Sequence, residues 1–101
     1  MLTFQKVLDL FGEYLRSDSC IEVVETRWGF ARLFCELPYK NSFEAVLCRT
    51  PEELFQELLD NLIANREYEL RRDGGNEEEK IAAVLNSLRQ SYCRKLEGDA
   101  Q

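Results

Sequence analysis

The amino-acid sequence predicts an α+β fold in the order helix, three-stranded antiparallel meander, helix, helix, with a single-layer sheet packed by helices. Three observations carry this reading. Apolar residues recur at spacings of three and four before residue 17, they alternate with polar ones between residues 20 and 48, and two helix starts, at Thr50-Pro51 and at Asn76, then open long apolar stripes. At 101 residues the chain has room for one domain, residues 1–101, and 45% apolar with 32% charged residues is ordinary globular usage.

The first helix is predicted over residues 3–16. Phe4, Val7, Leu8, Phe11, Tyr14 and Leu15 share one face, and Thr3 stands where a side-chain cap belongs. Gly12 interrupts it at a cost of about 1 kcal/mol relative to alanine, which implies close packing at that point. Ser17-Asp18-Ser19 ends the pattern.

Three strands follow, over residues 20–27, 30–37 and 43–48. Each is rich in β-branched or aromatic residues with period two; Trp28-Gly29 joins the first pair as a tight hairpin, and Pro38 to Ser42 makes a looser turn. On the middle strand Ala31, Leu33, Cys35 and Leu37 form a uniformly apolar face. The opposite face, Phe30, Arg32, Phe34 and Glu36, is amphipathic, and Val24 and Val46 can share it under helix or partner.

Thr50-Pro51-Glu52-Glu53 combines an N-cap threonine, a proline at the first helical position and a capping-box glutamate. The stripe Leu54, Phe55, Leu58, Leu59, Leu62, Ile63 then runs toward Tyr68 and Leu70, and Asp73-Gly74-Gly75-Asn76 stops it. Asn76 and Glu79 repeat the capping pattern for a last helix bearing Ile81, Val84, Leu85, Leu88, Tyr92 and Leu96, with fraying expected from Gly98.

Function is bounded more by what is missing than by any motif. The chain has no histidine, the commonest general base and metal ligand. Its four cysteines, Cys20, Cys35, Cys48 and Cys93, have no C-x-x-C spacing, so they read as buried reduced thiols, and no metal or cofactor is expected. A disulfide between neighbouring strands would need an oxidising compartment. No carboxylate lies in an apolar stretch that would tune it for acid–base work, and Gly74-Gly75 follows a helix rather than a strand, so no catalytic residue and no enzyme is predicted. The first 17 residues carry acids and no small-residue cleavage site, and no apolar run nears the roughly 20 residues of a membrane span; a cytoplasmic protein is expected.

Charge is the strongest functional signal. The net charge is −6, and residues 52–79 hold ten acids against three bases, −7, leaving +1 for the rest. Such a segment repels nucleic acid and attracts a basic surface. Helix starts account for Glu52, Glu53, Glu77, Glu78 and Glu79. The candidate acidic surface is Glu53, Glu57, Asp60, Glu67, Glu69 and Asp73, which also reads as a solvated face. An alternative contact is the hairpin and sheet face around Trp28, Phe30 and Phe34, a composition typical of interface hot spots and compatible with a homodimer. The order helix, three strands, helix is shared with double-stranded RNA-binding domains, but their basic cluster is replaced by Pro51-Glu52-Glu53, so direct nucleic-acid binding is not expected.

In element order and in the acidic charge between Glu52 and Glu79, the chain resembles small type II anti-CRISPR proteins of phages and mobile elements. The resemblance implies a DNA mimic that blocks the basic DNA-binding cleft of a Cas9-type, RNA-guided nuclease. It matches no motif and carries over no site residue.

Overall fold

The Thr3 hydroxyl accepts the Lys6 N–H at 3.2 Å, and helix α1 runs from Phe4 to Leu10 behind it. In this computed structural model residues 1–35 and 43–100 are described, the side chains of Phe43, Asp99 and Ala100 excepted. The single helix predicted over residues 3–16 is in fact two. Phe11 leaves helical geometry at φ −100°, ψ 11°, and α2 occupies Gly12–Ser17. Close packing does not explain Gly12: a Cβ there would meet only the guanidinium of Arg16, a flexible end on its own helix. The break instead accompanies a fully buried Phe11 ring, whose burial contributes about 2 kcal/mol.

Strands β1 (Ile21–Thr26), β2 (Gly29–Cys35) and β3 (Phe43–Cys48) form an antiparallel sheet in the order β1-β2-β3, as predicted, with β1 one residue shorter at each end and β2 starting one residue earlier. The turn is Arg27-Trp28, one residue earlier than expected, because Gly29 already pairs with Thr26 as the first residue of β2. Gly29 has φ +138°, and a Cβ there would run into the Cys48 carbonyl oxygen; only glycine fits. The Thr26 hydroxyl locks the turn, accepting the Trp28 N–H and donating to the Gly29 carbonyl. The expected second turn, Pro38 to Ser42, with Glu36 and Leu37, lies outside the described residues.

The register assigns two faces. Ile21, Val23, Phe30, Arg32, Phe34, Val46 and Cys48 share the first with Glu25 and Glu44; Glu22, Val24, Ala31, Leu33, Cys35, Ala45 and Leu47 share the second. The first face is the covered one. Phe4 stacks on Phe30 with centroids 4.5 Å apart, and Val7, Phe11 and Tyr14 of the helices and Ile21 and Cys48 of this face are all buried.

Helix α3 (Pro51–Arg72) begins as its sequence requires. The Thr50 hydroxyl accepts the Glu53 N–H at 3.1 Å, and Glu53 returns a carboxylate oxygen to the Arg49 N–H at 2.7 Å. It ends in a Schellman motif, with Gly75 N–H on the Leu70 carbonyl, Gly74 N–H on the Arg71 carbonyl, and Gly74 at φ +94°. Helix α4 (Glu78–Ala100) takes its first carbonyl from Glu77, so the cap lies one residue past the expected Asn76. It continues through Gly98, where fraying was expected.

The chain divides into two compact units inside α3, residues 2–58 and residues 59–101 with Met1. The first has its core in Val7, Phe11, Tyr14, Ile21, Cys48, Leu54, Phe55 and Leu58, with Phe11 and Phe55 edge to face at 5.7 Å. In the second, Leu59, Ile63 and Ile81 are the buried apolar residues among those described.

Candidate functional site

The acidic residues are placed individually by their helix positions, and most have bases as neighbours. Asp60 on α3 meets Arg89 on α4 at 3.5 Å. Glu67 accepts from Arg71 Nε at 3.1 Å, while the two terminal nitrogens of Arg71 grip both oxygens of Glu78 at 2.8 and 3.0 Å. That fork holds the Glu78 carboxyl below its usual range and the Arg71 guanidinium above its own. Asp73 pairs with Arg72, Glu69 accepts from Asn65 at 3.4 Å, and Glu53 serves its helix cap. Asp60 and Glu67, both within residues 59–101, stand seven residues apart on one side of α3, about 10 Å along the helix axis from a rise of 1.5 Å per residue.

The contrast between an acidic segment and a near-neutral remainder is a property of the linear sequence. The bases Lys80, Arg89, Arg94 and Lys95 of α4 belong to the same unit as Asp60 to Glu79. Residues 2–58 contain ten acids and six bases, −4, and residues 59–101 contain nine and seven, −2.

Glu57 has a separate task. It receives Arg32 through Nε at 3.2 Å and Nη2 at 2.6 Å, and the same Nη2 donates to Glu44 on β3. Arg32 is 3% exposed on the covered face of β2, whereas Glu57 is 26% and Glu44 68% exposed. Burial works against the charged guanidinium, and hydrogen bonds to Glu44 and Glu57 more than reverse this, leaving its pKa raised. The sequence signal was an arginine between two phenylalanines on an alternating strand. Such a position demands a carboxylate partner, and two acids in β3 and α3 supply it. Nearby, burial and then the hydrogen bond to Asp18 push the Tyr14 hydroxyl up, and burial followed by the charges of Glu57 and Glu53 does the same to the Cys48 thiol.

The alternative contact is split by the structure. Trp28 is 66% exposed at the hairpin tip, with the Arg27 guanidinium 5.5 Å from its ring. Phe30 and Phe34 lie half-buried on the covered face, Phe30 against Phe4, so they do not join Trp28 on a free surface. The second face carries the exposed apolar area instead. Val24, Ala31, Leu33 and Cys35 are half-buried, Ala45 and Leu47 are exposed, and no described residue on that face is buried. Glu22 is the one charged side chain the register places there among the described residues.

Among the described residues no three His, Cys, Asp or Glu side chains are grouped to hold a metal, and no helix is long and apolar enough to cross a membrane. An open groove of about 510 Å³ on residues 59–101 is lined by Arg66, Ala83, Val84, Ser87, Leu88 and Ser91, with no titratable group beyond the arginine. Comparison with known protein families, with curated proteins and with solved structures finds no match for this chain.

Proposed function

We propose that the protein is a non-catalytic interaction module of the cytoplasm that self-associates through the second face of its sheet. The observation that carries this is the asymmetry of β2: Arg32 on one side is sealed, while Ala31, Leu33 and Cys35 on the other side stay half-exposed beside Leu47, itself 39% exposed. A one-sided sheet with an apolar outer face is the half of a sandwich that a second copy completes, sheet on sheet at about 10 Å. The surface is self-complementary because it is nearly all apolar, as a two-fold contact requires. Three strands about 4.8 Å apart and six residues at about 3.3 Å each span about 300 Å², well under the roughly 800 Å² each partner buries in a stable complex. The expected dimer is therefore weak. Four free thiols fit a reducing compartment. Sedimentation velocity over a concentration series tests this: the average mass should climb toward two chains in the native protein and stay at one in Leu33→Asp. A native protein that stays at one chain throughout overturns it.

A second reading rests on the short acidic strip of Asp60 and Glu67 within residues 59–101, together with the −6 net charge. In it the protein is an inhibitor that presents this strip to a basic, nucleic-acid-binding surface such as that of a Cas9-type nuclease. The strip predicts salt-sensitive inhibition of target DNA binding. Reversal of both to lysine should abolish the effect; inhibition unchanged by the reversal removes this reading. Glu57 is left alone in that test because of Arg32.

A further inference from the structure

Cys20 and Cys35 are brought together by the strand register rather than by sequence spacing. The Cys35 N–H donates to the Cys20 carbonyl at 2.8 Å, one position beyond the Ile21–Phe34 pair of the ladder, which sets Cys20, in the turn before β1, across from Cys35. Directly opposed residues have their Cα atoms about 5.5 Å apart with side chains on one face, within the range that disulfides bridge. Both cysteines also line one open cavity of about 300 Å³ with Ser19, Ile21, Glu22 and Leu33, so a small molecule can reach them. The Cys20 N–H donates to Asp18 Oδ1 at 3.0 Å rather than across to β2. The other two thiols differ in kind. Cys48 is buried at 1% exposure, and Cys93 is exposed on α4.

We propose that Cys20 and Cys35 are a reversible dithiol site for low-molecular-weight disulfides such as glutathione disulfide. One thiolate attacks a sulfur of the disulfide, forming a mixed disulfide and releasing one glutathione thiolate. The second cysteine, as thiolate, attacks the protein sulfur of that mixed disulfide, closing the Cys20–Cys35 bond and releasing the second glutathione. Two electrons pass to glutathione disulfide, and the two protons lost by the cysteines are taken up by the released thiolates. The opposed Cβ atoms of such a pair sit about 4.5–5.5 Å apart, at or beyond the long end for a disulfide, so the bond is strained and easily reduced by glutathione. A bond of this kind belongs to the labile, regulatory class, which a reducing compartment tolerates.

The test uses the whole chain carrying Cys93→Ser, which removes the exposed thiol. Titration with glutathione disulfide should yield a product lighter by two hydrogen atoms with no glutathione attached, and reduced glutathione should reverse it. Trypsin cuts at Arg27 and Arg32, between the two cysteines, so the non-reduced digest should contain a peptide holding Cys20 linked to one holding Cys35. With Cys20→Ser added, the glutathione adduct on Cys35 should accumulate instead. Persistent glutathione adducts on Cys20 or Cys35 of the folded single variant, a link to Cys48, or no reaction of the folded chain overturns the proposal. The digest of the single variant decides the matter even where Cys20→Ser disturbs folding.

Discussion

Arg32 is a full charge, 3% exposed, on the covered side of the sheet. Glu57 takes two of the three hydrogen bonds of this buried guanidinium, and its loss leaves only the mostly solvated Glu44, so Glu57→Gln should lower the unfolding free energy by about 3 kcal/mol in urea titrations. Glu44 is mostly solvated, and Glu44→Gln should cost less than about 1 kcal/mol. The exposed Arg71–Glu78 fork makes a pH prediction instead. Because Glu78 titrates below its usual range when folded, its pairing contribution is full above about pH 4.3, the ordinary glutamate value, and disappears as the pH falls through its own lowered pKa. A carbon-detected titration should find the Glu78 midpoint rising in Arg71→Gln; an unmoved midpoint would show that the fork does not form in solution. None of these pairings was legible in the sequence. Arg32, Glu44 and Glu57 are separated by 12 and 25 positions from the arginine, and only the strand register and the docking of α3 bring them together.

The elements themselves were legible where their cause is local. Thr50, Pro51 and Glu53 fix the start of α3 through bonds that span four residues: the Thr50 hydroxyl takes the Glu53 N–H as the box requires, while the Glu53 carboxylate reaches one residue further back, to the Arg49 N–H rather than that of Thr50. Thr50→Ala should therefore cost about 1 kcal/mol, read as a lower urea midpoint with an unchanged slope. The glycines illustrate what locality misses. Gly12 and Gly29 look alike as sequence punctuation, yet a Cβ at Gly12 touches only a movable arginine, whereas at Gly29 the backbone angle and the Cys48 carbonyl both exclude one. Gly12→Ala should be neutral or stabilising by up to about 1 kcal/mol, and Gly29→Ala destabilising by more than about 1–3 kcal/mol, the strain alone being of that size. The break at Phe11 was hidden for a related reason. Apolar spacing carries across it unchanged, since Phe11 still accepts from the Leu15 N–H and donates to the Val7 carbonyl.

At the scale of the whole chain, the α+β class and the order of elements follow from periodicity, while the functional surfaces do not. Period two says which residues share a face of β2, but not which face the helices take. They take the one with Phe30, Arg32 and Phe34, because those aromatic side chains offer more area to bury and Glu57 is positioned to satisfy the arginine. The apolar face left over is the smaller-residue one, which is why Trp28 alone of the three predicted hairpin contacts remains exposed. The charge contrast dissolves similarly once α4 places Arg89 against Asp60. The claim that the second face of the sheet is a contact between copies is tested most directly by amide NMR spectra across a dilution series. Concentration-dependent shifts should be confined to the strands, centred on Val24, Ala31, Leu33, Ala45 and Leu47 and suppressed in Leu33→Asp; shifts that instead map to α3 and α4, or no shifts at all at high concentration, would contradict a contact through this face.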